Sequence, residues 1–215
     1  MFYTNVLPFG NYIALRGIDT NGMSFRRKVR YDPTLFVPSQ KPSNWKTLDN
    51  KNVSPVKWGS MKETREAMRS YPGDVFGIEG FQYSYIAENY HGMVDYDLSK
   101  IKIAFIDIET SSEYGFPNIR EANEEVLAIS IKIGDDFKVY GCGEYEPADG
   151  VMYVKCRDES QLLEYFIRDW SADYPDIVTG WNSRFFDIPY LMNRIIRILG
   201  EKSAQKMSPW GWYKT

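Results

Sequence analysis

Residues 1–100 read as a small β-rich α+β domain and residues 101–215 as an α/β domain, on three observations. After residue 100 a strand, a hairpin, a helix, a strand and a helix follow one another, the alternation of an α/β layer structure. The first third instead holds short strand-like runs around an Asn-Gly turn. With 43% hydrophobic and 16% aromatic residues, the 215-residue chain has the apolar mass for a real core, which excludes disorder as a whole, collagen and membrane spans.

Residues 11–18 and 23–31 are strand-like runs joined through Asp19-Thr20-Asn21-Gly22, where Asn and Gly both tolerate positive φ. Residues 33–55, rich in Pro, Ser, Asn and Lys, read as a loop. Ser60 with Glu63 forms a capping box for a helix to about residue 69, which Tyr71-Pro72-Gly73 ends. Residues 75–78 and 81–87 read as further strands. The texture changes at 95–100. Residues 101–108 are a continuous β-branched and aromatic strand, and 125–134 with 136–141 make a hairpin turning at Gly134-Asp135. Leu162, Leu163, Phe166, Ile167 and Trp170 recur at helical spacing in 160–170, and 176–181 is a short strand. Residues 187–199 form a helix with Ile188, Leu191, Met192, Ile195 and Leu199 on one face and Gly200 as its stop.

The formal charge of −3 hides an uneven distribution. Residues 1–70 hold 12 Lys and Arg against 5 Asp and Glu, a local +7, and the remainder carries −10. A basic part beside an acidic one suggests a polyanion-binding surface next to chemistry that uses carboxylates. The densest basic cluster is Arg26, Arg27, Lys28 and Arg30, a candidate nucleic-acid contact whose plain alternative is a solvated strand edge. Two cysteines, Cys142 and Cys156, with no CxxC pair and no charged-then-apolar leader, point to a reducing interior and no secretion. His91 is the one histidine, so a structural zinc site, a Cys/His protease site and a Ser/His/Asp triad all lack their residue types.

Carboxylates are what remain for chemistry. In Phe105-Ile106-Asp107-Ile108-Glu109-Thr110, residues two apart on a strand face the same way, so Asp107 and Glu109 project together while Ile106 and Ile108 enter the opposite face. Two adjacent carboxylates repel, and a divalent cation with a taste for hard oxygen ligands resolves the repulsion; the alternative is a solvent-exposed strand end. In Thr179-Gly180-Trp181-Asn182-Ser183-Arg184-Phe185-Phe186-Asp187 a strand ends, a turn holds an amide and a cation, and Asp187 opens the next helix. There the helix's positive end favours an ionised ligand, and an ordinary N-cap aspartate belongs in the same place.

These two segments in this order, about 75 residues apart, resemble the first and second motifs of the 3′→5′ proofreading exonuclease of family B DNA polymerases. The likeness is closer to the replicative polymerases of T-even-type phages. Thr179-Gly180-Trp181-Asn182 with Phe186-Asp187, Pro189-Tyr190 and Met192-Asn193-Arg194 is similar to their second motif and its helix, and Tyr31-Asp32-Pro33-Thr34-Leu35-Phe36 resembles a segment of their N-terminal domain. The resemblance covers essentially the whole chain. It implies a ribonuclease-H-like exonuclease domain, a mixed sheet flanked by helices, over 101–215, preceded by the family's N-terminal domain over 1–100. It also implies metal ligation of Mg²⁺ or Mn²⁺ by Asp107, Glu109 and Asp187, substrate contacts by Asn182 and Phe186, and a position for Phe116 against the separated strand. Two ions about 4 Å apart would serve in-line phosphoryl displacement, and aromatic stacking plus Arg184 would hold a frayed single-stranded end without reading its sequence.

The family's third motif, Tyr-x-x-x-Asp, follows the second by many tens of residues, whereas 28 residues follow Asp187 here. Tyr145 to Asp149 and Tyr165 to Asp169 fit the string but precede Asp187, so they read as chance matches. The expectation is therefore an N-terminal portion of a phage-type polymerase, a truncated or split product, with an incomplete metal site and weak or no hydrolysis by itself. Its expected partners are primer-template DNA, the remaining polymerase polypeptide and, as a further candidate for the N-terminal domain, RNA; its expected location is the host cytoplasm. The competing readings are a non-catalytic nucleic-acid-binding and docking module, and a free-standing ribonuclease-H-like nuclease.

Overall fold

In the computed structural model, which describes residues 1–113 and 115–213, the Asn21-Gly22 turn joins β2 (Tyr12–Ile18) to β3 (Ser24–Arg30). Gly22 takes φ +80°, and the Asp19 carboxylate accepts the backbone N–H groups of Asn21 and Met23, which closes the turn. On the other side of β2 lies β1 (Phe2–Phe9), giving an antiparallel order β1-β2-β3. The sequence does not announce β1, because a bulge between Tyr3 and Asn5 and apolar residues on both faces remove its period-two signature.

Residues 33–55 are not a loop. They carry β4 (Leu35–Pro38), β5 (Trp45–Lys46) and most of β6 (Asn52–Val56), in the order β4-β6-β5. Such short strands show no alternation, and Pro55 argues against a central strand, yet β6 is central. It is tolerated because Phe36, its cross-strand partner, exchanges both backbone hydrogen bonds with Phe76 instead, so no donor is missed at Pro55. That exchange is an isolated bridge and all that the expected strand 75–78 amounts to.

Helix α1 (Met61–Ser70) starts at the expected cap, Ser60 Oγ accepting the Glu63 N–H at 3.3 Å. Residues 81–87, expected as a strand, belong to helix α2 (Phe81–Asn89). The alternation Phe81, Tyr83, Tyr85 misleads: Phe81 and Tyr85, one turn apart, are buried against Ile13, Leu15 and Met61, while Tyr83 is exposed. Packing outweighs local propensity here.

The chain divides into two units, Met1–Lys100 and Ile101–Thr215. The second contains one five-stranded mixed sheet in the order β10-β9-β8-β7-β11. Strands β7 (Ile103–Thr110), β8 (Val126–Ile133) and β9 (Asp136–Gly141) are antiparallel neighbours, with Gly134 at φ +59° in the tight turn. Strand β10 (Val151–Lys155), which the sequence reading leaves out, adds in parallel to β9, and β11 (Ile177–Thr179) adds in parallel to β7. Helix α3 (Glu159–Ala172) buries Leu162, Leu163, Phe166, Ile167 and Trp170. Helix α4 (Asp187–Leu199) buries Tyr190, Leu191 and Ile195, and Gly200 stops it; a short α5 (Glu201–Ala204) follows. These side chains form one core with Ala104, Ile106, Ile108, Ile129 and Ile131 of the sheet. Each such burial contributes about 1.5–3 kcal/mol.

Candidate functional site

Strand alternation sets the first half of the site. Ala104, Ile106 and Ile108 are buried in the core, so Phe105, Asp107 and Glu109 lie on the exposed face of β7. The second half depends on how the chain returns. Strand β11 ends at Thr179, opposite Phe105, and leaves β7 without a strand partner on that side from Ile106 onward. Gly180 then passes so close that a Cβ would stand 2.2 Å from the Ile106 carbonyl oxygen. Asn182 turns the chain at φ +57°, and its carbonyl accepts the N–H groups of Phe185 and Phe186.

That turn delivers Asp187 to the first position of α4, where it is 3% exposed. Phe186 holds the N-cap position with no side-chain cap bond, and the Asp187 carboxylate reaches across to β7. Oδ1 accepts the backbone N–H of Ile108 at 3.0 Å, the donor that β7 presents beyond the end of β11. Burial raises the Asp187 carboxyl above the usual carboxylate range, hydrogen bonds from the Ile108 and Asp187 backbone oppose this, and the negative charge of Asp107 adds to the rise. Asp187 and Asp107 are therefore electrostatic neighbours, and Glu109 shares the Asp107 face of β7. Among the described residues no three His, Cys, Asp or Glu side chains gather into a group able to hold a metal ion by themselves. The donor chemistry still suits a hard divalent cation: the candidates are carboxylate oxygens, those of Asp187 buried and hydrogen-bonded to Ile108 beside the negative charge of Asp107.

The aromatic candidates meet beside α4. Phe186, half-buried, stacks on Tyr190 with ring centroids 5.5 Å apart, and Phe116, 84% exposed, lies 5.2 Å from Phe186. Asn182 and Arg184 are exposed in the turn, the Arg184 guanidinium 5.6 Å from the Phe185 ring centroid. Arg184 also borders an apolar cavity of about 870 Å³ with Trp170, Val178, Ile188 and Met192. Arg26, Arg27, Lys28 and Arg30 belong to the other unit, on β3, and divide between its faces. Arg27 shares the core-side face with Phe25 and Val29, its guanidinium 4.8 Å from the Phe25 ring centroid; the other three point the opposite way. Asp169 of the second Tyr-x-x-x-Asp string accepts the Tyr140 O–H at 2.8 Å and an Arg168 N–H at 2.9 Å.

The motif reading includes Arg194 but gives it no role. Arg194, on the buried face of α4, makes a two-pronged ion pair with Glu159 of α3, at 2.7 and 2.6 Å. An arginine on the apolar stripe of an amphipathic helix is the signal that finds it, because such a residue needs a buried acid.

The profile of the family described as DNA polymerase family B, exonuclease domain, matches residues 40–211. The chain is 33% identical over 245 residues to the DNA-directed DNA polymerase of Enterobacteria phage T4, covering all of this chain and 27% of that polymerase. It is 30% identical over 241 residues to that of Escherichia phage RB69, covering 97% and 27%. With the DNA polymerase catalytic subunit of Human herpesvirus 8 it shares 31% identity over 107 residues, 45% of this chain and 10% of that one. The chain thus spans about a quarter of the length of the two phage polymerases. With 172 of its residues under the family profile, this chain belongs to the family B DNA polymerases, in the region of their exonuclease domain.

Proposed function

We propose that residues 101–215 are part of a metal-dependent 3′→5′ proofreading exonuclease of ribonuclease-H-like fold, acting in phage DNA replication in the host cytoplasm, and residues 1–100 the N-terminal domain of the same polymerase. The observation that carries this reading is the Asp187–Ile108 hydrogen bond, which brings the carboxylate at the start of α4 beside the Asp107–Glu109 strand. The strand order, with β8 and β9 antiparallel on one side of β7 and β11 parallel on the other, supports it.

Asp107, Glu109 and Asp187 would hold Mg²⁺ or Mn²⁺, which when bound supplies an activated water and a counter-charge for the leaving 3′ oxygen. The protein's own part is orientation. Asp187 is held by the Ile108 amide, Asn182 and Arg184 offer an amide and a cation to the strand end, and Phe186 with Phe116 offers faces for its terminal bases. Because Asp107, Glu109 and Asp187 do not by themselves gather into a metal-holding group among the described residues, the chain by itself is expected to hydrolyse DNA weakly or not at all. With a 5′-labelled single strand and Mn²⁺, the expected result is slow release of mononucleotides from the 3′ end at most, lost in Asp107→Ala. Robust hydrolysis that is lost in Asp107→Ala would overturn the weak activity, and hydrolysis that survives Asp107→Ala would overturn the proposed site.

A second reading, a nucleic-acid-binding and docking module, is favoured by one observation on the first unit. On the face of β1-β2-β3 opposite Ile13 and Leu15, three cross-strand rows carry the cations: Phe9, Tyr12 and Arg30; Leu7, the buried Ala14 and Lys28; Asn5, Arg16 and Arg26. Phe9 and Tyr12 are exposed, and the Lys28 ammonium sits 6.0 Å from the Phe9 ring centroid. Cations interleaved with exposed aromatics suit a single DNA strand.

A further inference from the structure

Residues 119–124, in the connection between β7 and β8, belong to neither helix nor strand, yet they are bonded repeatedly to one helix. Side chains of α4 take their carbonyls in turn: Asn193 Nδ2 donates to Ile119 at 2.8 Å, Arg197 Nη1 to Glu121 at 3.4 Å, and Tyr190 O–H to Glu124 at 2.6 Å. Arg194 Nη1 donates to both Ala122, at 2.9 Å, and Asn123, at 2.8 Å. Ala122 is fully buried at φ +43°, a left-handed backbone that an alanine adopts only under constraint. The remaining guanidinium donors hold Glu159, whose Oε1 also accepts the Val126 N–H at 2.8 Å, the first amide of β8. Buried carbonyls of an irregular segment need partners, and here they find them on α4 rather than in a ladder.

We infer that this grip sets the position of Asp187 relative to Asp107 and Glu109, with Arg194 as the positioning residue; the inference rests on the carboxylate site proposed above. Asp187 and Arg194 are seven residues apart, two turns along one face of α4, so a shift of the helix that loosens the carbonyl bonds also moves Asp187 against Ile108. The connection being gripped joins the strand of Asp107 and Glu109 to its neighbour β8. One rigid element therefore holds both ends of the site, and Arg194 with Glu159 ties α3 to the same point. Arg194 touches no reacting group; it acts through the backbone.

The test replaces both members of the pair by apolar groups, Arg194→Met with Glu159→Met, because substituting the pair together leaves no buried charge unpaired where removing one member does. Asn193→Ala with Tyr190→Phe provides a second variant that leaves the ion pair intact. Expected in both is faster hydrogen exchange of the Ile108 amide, by about tenfold relative to the Ile129 and Ile131 amides of β8. Where the whole chain binds Mn²⁺, affinity falls about tenfold or more, as for other groups that orient metal ligands. Uniform acceleration of all amides, or an Ile108 amide and Mn²⁺ affinity that stay as in the parent chain, would overturn the inference. A parent chain that binds no Mn²⁺ would count against the metal site, whereas the Ile108 exchange would still decide the grip.

Discussion

Burial of Asp187 disfavours its ionised form, and the charge of Asp107 adds to the effect, so the folded carboxyl titrates above the ordinary 3.8. Between that value and the raised one, the folded chain keeps a proton that the unfolded chain has released. Stability consequently falls as pH rises through this window, and the penalty is fully present above it. Asp187→Asn keeps an oxygen to accept the Ile108 N–H and removes the charge. Urea midpoints should therefore fall with rising pH in the parent chain by more than in Asp187→Asn, and without divalent cation Asp187→Asn should be at least as stable at neutral pH. Asp187→Ala leaves a buried N–H unpaired and should cost about 1–3 kcal/mol. An Asn variant as unstable as the Ala variant would show that the carboxylate charge is not the strained feature.

Element boundaries were legible wherever a pattern ran long enough to repeat. Helix α4 occupies residues 187–199 as its apolar spacing and Gly200 predict, and the hairpin β8–β9 turns at Gly134. Strands of two to five residues, β4, β5 and β10, cannot display a period, and α2 displayed a false one. The site's elements meet through close backbone approach at Gly180, which a spacing rule does not reveal. Gly180→Ala would drive a methyl group into the Ile106 carbonyl oxygen, so β11 and the turn must move off β7. The expected cost is about 1–3 kcal/mol in denaturant unfolding, together with loss of protection at the Ile108 amide. Parent-like stability and protection would mean that the turn has room to shift.

The division of charge along the chain has a counterpart in the division of its fold. The first unit has its own core around Ile13, Leu15, Met61 and Phe81 and holds 13 of the 26 Lys and Arg but 10 of the 29 Asp and Glu; the second has its core between the sheet, α3 and α4 and holds the other 19 carboxylates. Single-stranded DNA bound by the face of β1-β2-β3 should weaken with salt, log K falling by about 0.7 per neutralised phosphate for each decade of salt. In fluorescence anisotropy with the full chain, Lys28→Ala and Arg30→Ala should lower both affinity and salt slope, and Tyr12→Ala affinity alone. Arg27→Ala, on the core-side face, should do neither. Equal effects of Arg27 and Lys28 would show that net charge, not this face, attracts the strand.

Local geometry suffices to put Asp107 and Glu109 on one side of a strand, because a period of two is a property of any extended backbone, and to start a helix at Asp187. The same period of two sets Arg27 opposite Arg26, Lys28 and Arg30 on β3, but not which of the two faces becomes core, since that depends on what packs there. That Asp187 reaches the Ile108 amide, 79 positions away in the chain, follows from β11 pairing in parallel with β7 and stopping three residues short of it. The carbonyls that Arg194 holds are likewise set by which backbone groups the fold leaves without a ladder partner. Such pairings are long-range choices among competing contacts, and they exist only once the whole core has formed.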